Sequence, residues 1–93
     1  MNQKEQLPFT PTKLVIVIKK SENLNRVMQI ADFIKFCYPG TLRTDAVRSA
    51  KELVNHLDPK KEINLSVLTS REIEVRQKAE SLCLTINVIK ENV

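Results

Sequence analysis

The sequence predicts an α/β domain with the order β-α-α-β-α-β, in two or three layers, built on a mainly parallel sheet. Three observations predict it. Leu14-Val15-Ile16-Val17-Ile18 is an unbroken apolar run, four of its five residues β-branched, with lysines at both ends. A strand with one face in water alternates apolar and polar residues, so this run reads as a central strand, 13–20, covered on both faces. Apolar residues at helical spacing follow it in two segments, and a third helical segment lies between two later strand-like stretches. Helical crossovers imply parallel pairing with right-handed connections.

Residues 1–12 read as a flexible arm before a single domain over 13–93. Pro8 and Pro11 disfavour regular structure, and Phe9 between them could anchor the arm. After the first strand, Ser21 is a helix N-cap candidate with Glu22 in the first turn. Leu24, Val27, Met28, Ala31, Ile34 and Tyr38 then recur on one helical face. Ile30, Phe33 and Cys37 make a second stripe and Phe36 lies near the opposite side, which fits a helix wedged between the sheet and another helix or one that meets a partner chain; Pro39-Gly40 ends it. The second helix begins near Thr41 or Thr44. Ala46, Val47, Ala50, Leu53, Val54 and Leu57 make one apolar face of it, and it stops at Asp58-Pro59.

Ile63, Leu65 and Val67 alternate with Asn64 and Ser66, the pattern of a half-covered strand. Thr69-Ser70-Arg71-Glu72 has the form of a capping box. It predicts a third helix to about Leu82, with Val75, Ala79 and Leu82 inward. Thr85–Lys90 closes the chain as a strand. Residues 71–90 also alternate, which leaves a β-hairpin as the alternative. The helix formers Glu72, Arg76, Gln77, Lys78, Ala79 and Glu80 favour the helix.

Composition narrows the function classes. The chain has 93 residues, 42% hydrophobic and 28% charged, enough for one domain burying roughly 60–65% of its unfolded surface. Gly40 is the only glycine, which counts against phosphate-cradling loops and nucleophile elbows. The longest apolar run is too short for a membrane span, and the N-terminus lacks a signal-peptide core, so a cytoplasmic protein is expected. Cys37 and Cys83 read as buried free thiols. No pair of Cys or His has ligand spacing, so no metal and no cofactor are expected. The lone His56 belongs to a helix C-terminus rather than to a triad, and no catalytic constellation is found.

The net charge is +4, from 15 basic and 11 acidic residues. Lys19, Lys20, Arg26, Lys35, Arg43, Arg48 and Lys51 are the candidates for a phosphate-contacting surface. The aromatic residues lie outside the strands, unlike those of RNA-binding sheets. The leading expectation is a non-enzymatic interaction or regulatory module that meets a protein partner, or a second copy as a homodimer, through Ile30, Phe33, Phe36 and Cys37. RNA or DNA binding through the basic residues is the alternative.

Two families share local patterns with this chain. Lys13–Lys20 resembles the opening strand of type 2 peptidyl-tRNA hydrolases. Lys60-Lys61-Glu62-Ile63-Asn64-Leu65-Ser66-Val67, with Ser70-Arg71-Glu72 and Lys78-Ala79-Glu80-Ser81-Leu82, resembles their strand-helix segment. The resemblance implies an α/β fold and a tRNA-related partner. It does not carry the hydrolase chemistry. In the family's G-K-x-A-A-Q-x-x-H pattern the lysine, glutamine and histidine positions fall at Met28, Asp32 and Lys35. Gly40-Thr41-Leu42, Ala46-Val47, Ile73-Glu74-Val75 and Thr85–Val88 are similar to the small nucleic-acid-binding Alba-like fold, on the hairpin alternative.

Overall fold

The computed structural model describes residues 12–92; Thr12, the last residue of the expected arm, begins the first strand, and the rest of the arm with Phe9 lies outside the described residues. Its elements are β1 (Thr12–Lys19), α1 (Val27–Cys37), α2 (Arg43–Asn55), β2 (Glu62–Leu68), α3 (Glu72–Ser81) and β3 (Asn87–Asn92). The order β-α-α-β-α-β stands, and 71–90 is helix and strand rather than a hairpin. The sheet has the order β2-β1-β3, with β1 in the centre.

The expected parallel pairing is wrong. β1 runs antiparallel to both neighbours, Ile16 lying opposite Leu65 on one side and Val88 on the other. The reason is the number of helices in each connection. Two helices between β1 and β2 form a hairpin that returns the chain to the end it left, so β2 must run back against β1. One helix between β2 and β3 carries the chain along the sheet, so those two strands share a direction. They do not touch, because β1 lies between them. The unit is a β2-α3-β3 crossover split by an antiparallel strand.

The apolar run of β1 also has two different faces. Leu14, Ile16 and Ile18 are fully buried in one core with Leu65, Val67 and Leu84. Helix residues Ile30, Phe33 and Ile34 of α1, Ala46, Ala50 and Leu53 of α2, and Val75 and Ala79 of α3 join the same core. All three helices therefore cover one side of the sheet, and the domain has two layers. Val15 and Val17 point to the other side, where no helix of the described residues packs. Valine and isoleucine on that side reflect strand preference as well as burial.

α1 starts later than its Ser21 cap predicts. Lys20–Glu22 is a single 3-10 turn, and the helix begins at Val27. Between them the chain spends Asn23 on a buried clamp and takes Asn25 through φ 60°. Asn23 is fully buried. Its Nδ2 donates to the Lys19 and Thr85 carbonyls, both at 3.0 Å, and its Oδ1 accepts from the Thr85 N–H at 3.0 Å. One side chain thus joins the end of β1 to the approach to β3 with its hydrogen-bonding capacity nearly filled.

α3 ends in a Schellman motif. Cys83 N–H donates to the Glu80 carbonyl at 3.0 Å, and Leu84 N–H to that of Ala79 at 2.9 Å. The left-handed residue this motif needs is Cys83, at φ 58°. Cys83 is exposed, against the expectation that both thiols are buried, while Cys37 is buried and free. Gly40, the one glycine, does not have a positive φ.

Candidate interaction surface

The first-helix residues expected to meet a partner are interior. Ile30, Phe33 and Cys37 lie in the core of the single chain, because α1 is wedged between the sheet, α2 and α3. The second apolar stripe is explained by these neighbours. Phe36 is partly buried, with the Arg71 guanidinium 4.9 Å and the Lys78 ammonium 5.7 Å from its ring centroid.

Arg71 fastens α3 to the end of α1. Its two terminal nitrogens donate to the carbonyls of Phe36 at 3.0 Å and Cys37 at 3.1 Å, and its Nε pairs with Glu74. A planar cation over the last carbonyls of α1 satisfies groups that a helix end leaves unpaired. Burial pushes the Cys37 thiol up from 9.0 to about 11, with the Arg71 charge opposing. Such a thiol is a packing residue, not a nucleophile.

The basic residues are dispersed and largely engaged. Lys20 donates to the His56 carbonyl, Lys35 to that of Thr41 at 2.7 Å. Arg43 pairs with Asp32 at 3.2 Å and Arg48 with Asp45 at 2.8 Å. Lys19, Arg26 and Lys51 have no such partner among the described residues, and they lie on three different segments. A groove of about 480 Å³ beside Lys19, Lys60 and Lys61 is also lined by Ser21, Pro59 and Glu62. Lys61 is 3.9 Å from Glu52, so this end of the sheet mixes both signs. His56 closes α2, and its Nδ1 accepts from the Asp58 N–H at 3.1 Å. Among the described residues no three His, Cys, Asp or Glu come together in a way that could hold a metal.

What the helices of the described residues leave uncovered is the far side of the sheet and its edges. The register gives this side its rows. Val15 lies between Ser66 and Ile89, Val17 between Asn64 and Asn87, and Lys13 between Leu68 and Glu91. Val17 is buried, at 5% exposure, although it lies outside the main core cluster; Val15 is half-buried, and Ile89 and Leu68 are 50% and 60% exposed. An apolar centre with a charged rim is the composition of a contact surface.

The two edges differ. On β2 the Ser66 N–H points outward and donates to the Tyr38 hydroxyl at 2.6 Å. That fixes the direction of every strand group. Ser66 faces away from β1, so Val15 opposite it turns its N–H and carbonyl toward β3. The Lys20 N–H donating to the Lys61 carbonyl at 3.1 Å continues the same alternation. Ile89 therefore pairs inward with Val15, and the outward groups of β3 are those of Val88 and Lys90. Among the described residues those groups have no backbone partner.

Sequence reading did not single out Val88, Ile89 and Lys90 as contacts. The signal was present in the alternation of Thr85–Lys90, but strand order, which makes β3 an edge, is not written in a strand's own pattern. No helix among the described residues is long and apolar enough to cross a membrane. No family model, curated protein or solved structure matches this chain.

Proposed function

We propose that the chain is a non-catalytic α/β interaction module that associates with itself through the sheet rather than through its first helix. The observation that carries this reading is the one-sided cover of the sheet. Leu14, Ile16 and Ile18 are sealed under the helices, while Val15, Val17, Leu68 and Ile89 form an apolar centre on the other side. A domain this small gains from covering such a surface, since its own core buries a modest share of the chain.

The site chemistry agrees with a contact role. Cys37 is sealed and held protonated, and His56 is used in a turn. Four of the seven basic candidates have partners inside the chain, Arg43 and Arg48 beside carboxylates that offset their charge toward a phosphate.

Sedimentation equilibrium of the full chain across the micromolar range tests the reading. A mass rising toward twice the 10.7 kDa of one chain is expected. A monomer at every concentration would overturn it.

A further inference from the structure

We infer that two copies join edge to edge through β3, in an antiparallel pairing centred on Ile89 that makes one six-stranded sheet. The inference rests on the self-association just proposed and names its surface. It starts from the difference between the two edges. β2 is blocked at its middle by the Tyr38 hydroxyl on the Ser66 N–H. β3 presents the N–H and carbonyl groups of Val88 and Lys90 with no backbone partner among the described residues. An unblocked edge is a template for another strand, and a two-fold axis makes that strand the same one.

Symmetry restricts the register. A two-fold perpendicular to the sheet keeps each side chain on its own face, so the axis must pass through a residue. Through Lys90 it would set two ammonium groups opposite each other, which is unfavourable. Through Val88 it would set Asn87 against Ile89, a polar side chain against an apolar one. Through Ile89 every pair agrees. Val88 faces Lys90 of the other copy, and these are the residues whose backbone groups point outward, so four hydrogen bonds form around the axis. Ile89 meets its own copy as the non-hydrogen-bonded pair, where side chains approach most closely. On the same face Asn87 meets Glu91 of the other copy, an amide donor beside a carboxylate. Ile89, 50% exposed in one chain, then packs against its own copy, and the two Val15–Ile89 rows become continuous across the new sheet.

Lys90 stays compatible with this arrangement. Its ammonium pairs with Glu72 at 3.5 Å on the helix side, which leaves its stem beside Val88 of the other copy.

Four variants test the pairing. Lys90→Pro deletes an outward N–H and leaves the Ile89–Val15 bonds to β1 intact; it is expected to sediment as a monomer with an unchanged circular dichroism spectrum. Ile89→Asp places like charges at the axis of a half-exposed position. It is expected to dissociate the dimer without unfolding the chain, which covers the case in which the proline variant fails to fold. Ile89→Cys in the Cys83→Gly background is expected to form a disulfide-linked dimer under mild oxidation, and Glu91→Cys in that background is not. A wild-type dimer that survives both Lys90→Pro and Ile89→Asp would overturn the β3 pairing while leaving self-association standing. A wild-type monomer would overturn both.

Discussion

Asn23 and Cys83 show how single residues set the connections between elements. Asn23 makes three hydrogen bonds in a fully buried position, so Asn23→Ala strands the Lys19 carbonyl and both backbone groups of Thr85. We expect a loss of about 3 kcal/mol in urea unfolding, a large part of a small domain's stability. Asn23→Asp should be worse, because a carboxylate would face two carbonyls. Cys83 occupies a left-handed position that costs a side chain roughly 1 kcal/mol. Cys83→Gly should therefore raise stability by about that amount. Gly40→Ala should be neutral or stabilising by about 0.5 kcal/mol, since nothing lies within 4 Å of an added Cβ. The one glycine of the chain stands where none is required, and the position that wants one holds cysteine.

The two thiols should separate cleanly in a labelling experiment. Cys83 should react with a thiol reagent in the folded protein, and Cys37 only when the fold opens. The raised pKa of Cys37 means that its neutral form is favoured by folding. Its effect on stability is constant below about pH 9 and becomes a loss of up to about 1.4 kcal/mol per unit as pH rises toward about 11. Cys37→Ala should lack that alkaline loss. Equal slopes for the two proteins above pH 9 would contradict this.

At the scale of elements, α3 is held by polar contacts as much as by its two buried residues, Val75 and Ala79. Arg71 forks onto the Phe36 and Cys37 carbonyls. Arg71→Met should cost about 2 kcal/mol, and Arg71→Lys should recover only part, because a single ammonium does not span two carbonyls. The Arg76 hydrogen bond, with Lys90 beside it, holds the Glu72 carboxyl below its usual range. A depressed carboxylate stabilises the fold at neutral pH, and that contribution is lost as pH falls through the folded value. Glu72→Gln should flatten the acid limb of the stability profile, measured by urea midpoints from neutral to acid pH.

Element type was legible in the sequence because periodicity reports it directly. The apolar spacing of α1 and α2, the alternation of β2 and the helix formers of 72–80 each mark their element. Boundaries were less legible. Ser21 looks like a cap, yet its neighbour Asn23 is drawn into a clamp with Thr85, 62 residues away. A local pattern carries no trace of such a contact. The second stripe of α1 fits either a helix wedged between the sheet and another helix or a partner contact, and the pattern alone does not choose; α2 and α3 around Ile30, Phe33 and Cys37 make it the wedge.

At the scale of the molecule, the run Leu14–Ile18 reads as covered on both faces; helices cover Leu14, Ile16 and Ile18 on one, while on the other Val17 is buried without a helix over it and Val15 is half-buried. Continuous apolarity marks a central strand, and β1 is central, but it does not say what covers the second face. The helix count in each connection was the better guide to strand direction. It turns the sheet antiparallel around β1 and leaves β3 as an open edge. The result is a unit of two layers whose free edge is completed by another copy.

Amide hydrogen exchange, resolved by residue and followed over protein concentration, tests this claim most directly. Ile89 is bonded to β1, so its N–H should be slow at every concentration. The N–H groups of Val88 and Lys90 should exchange freely in dilute solution and become slow as the chain associates. Val88 and Lys90 remaining unprotected in a sample that sediments as a dimer would contradict the account.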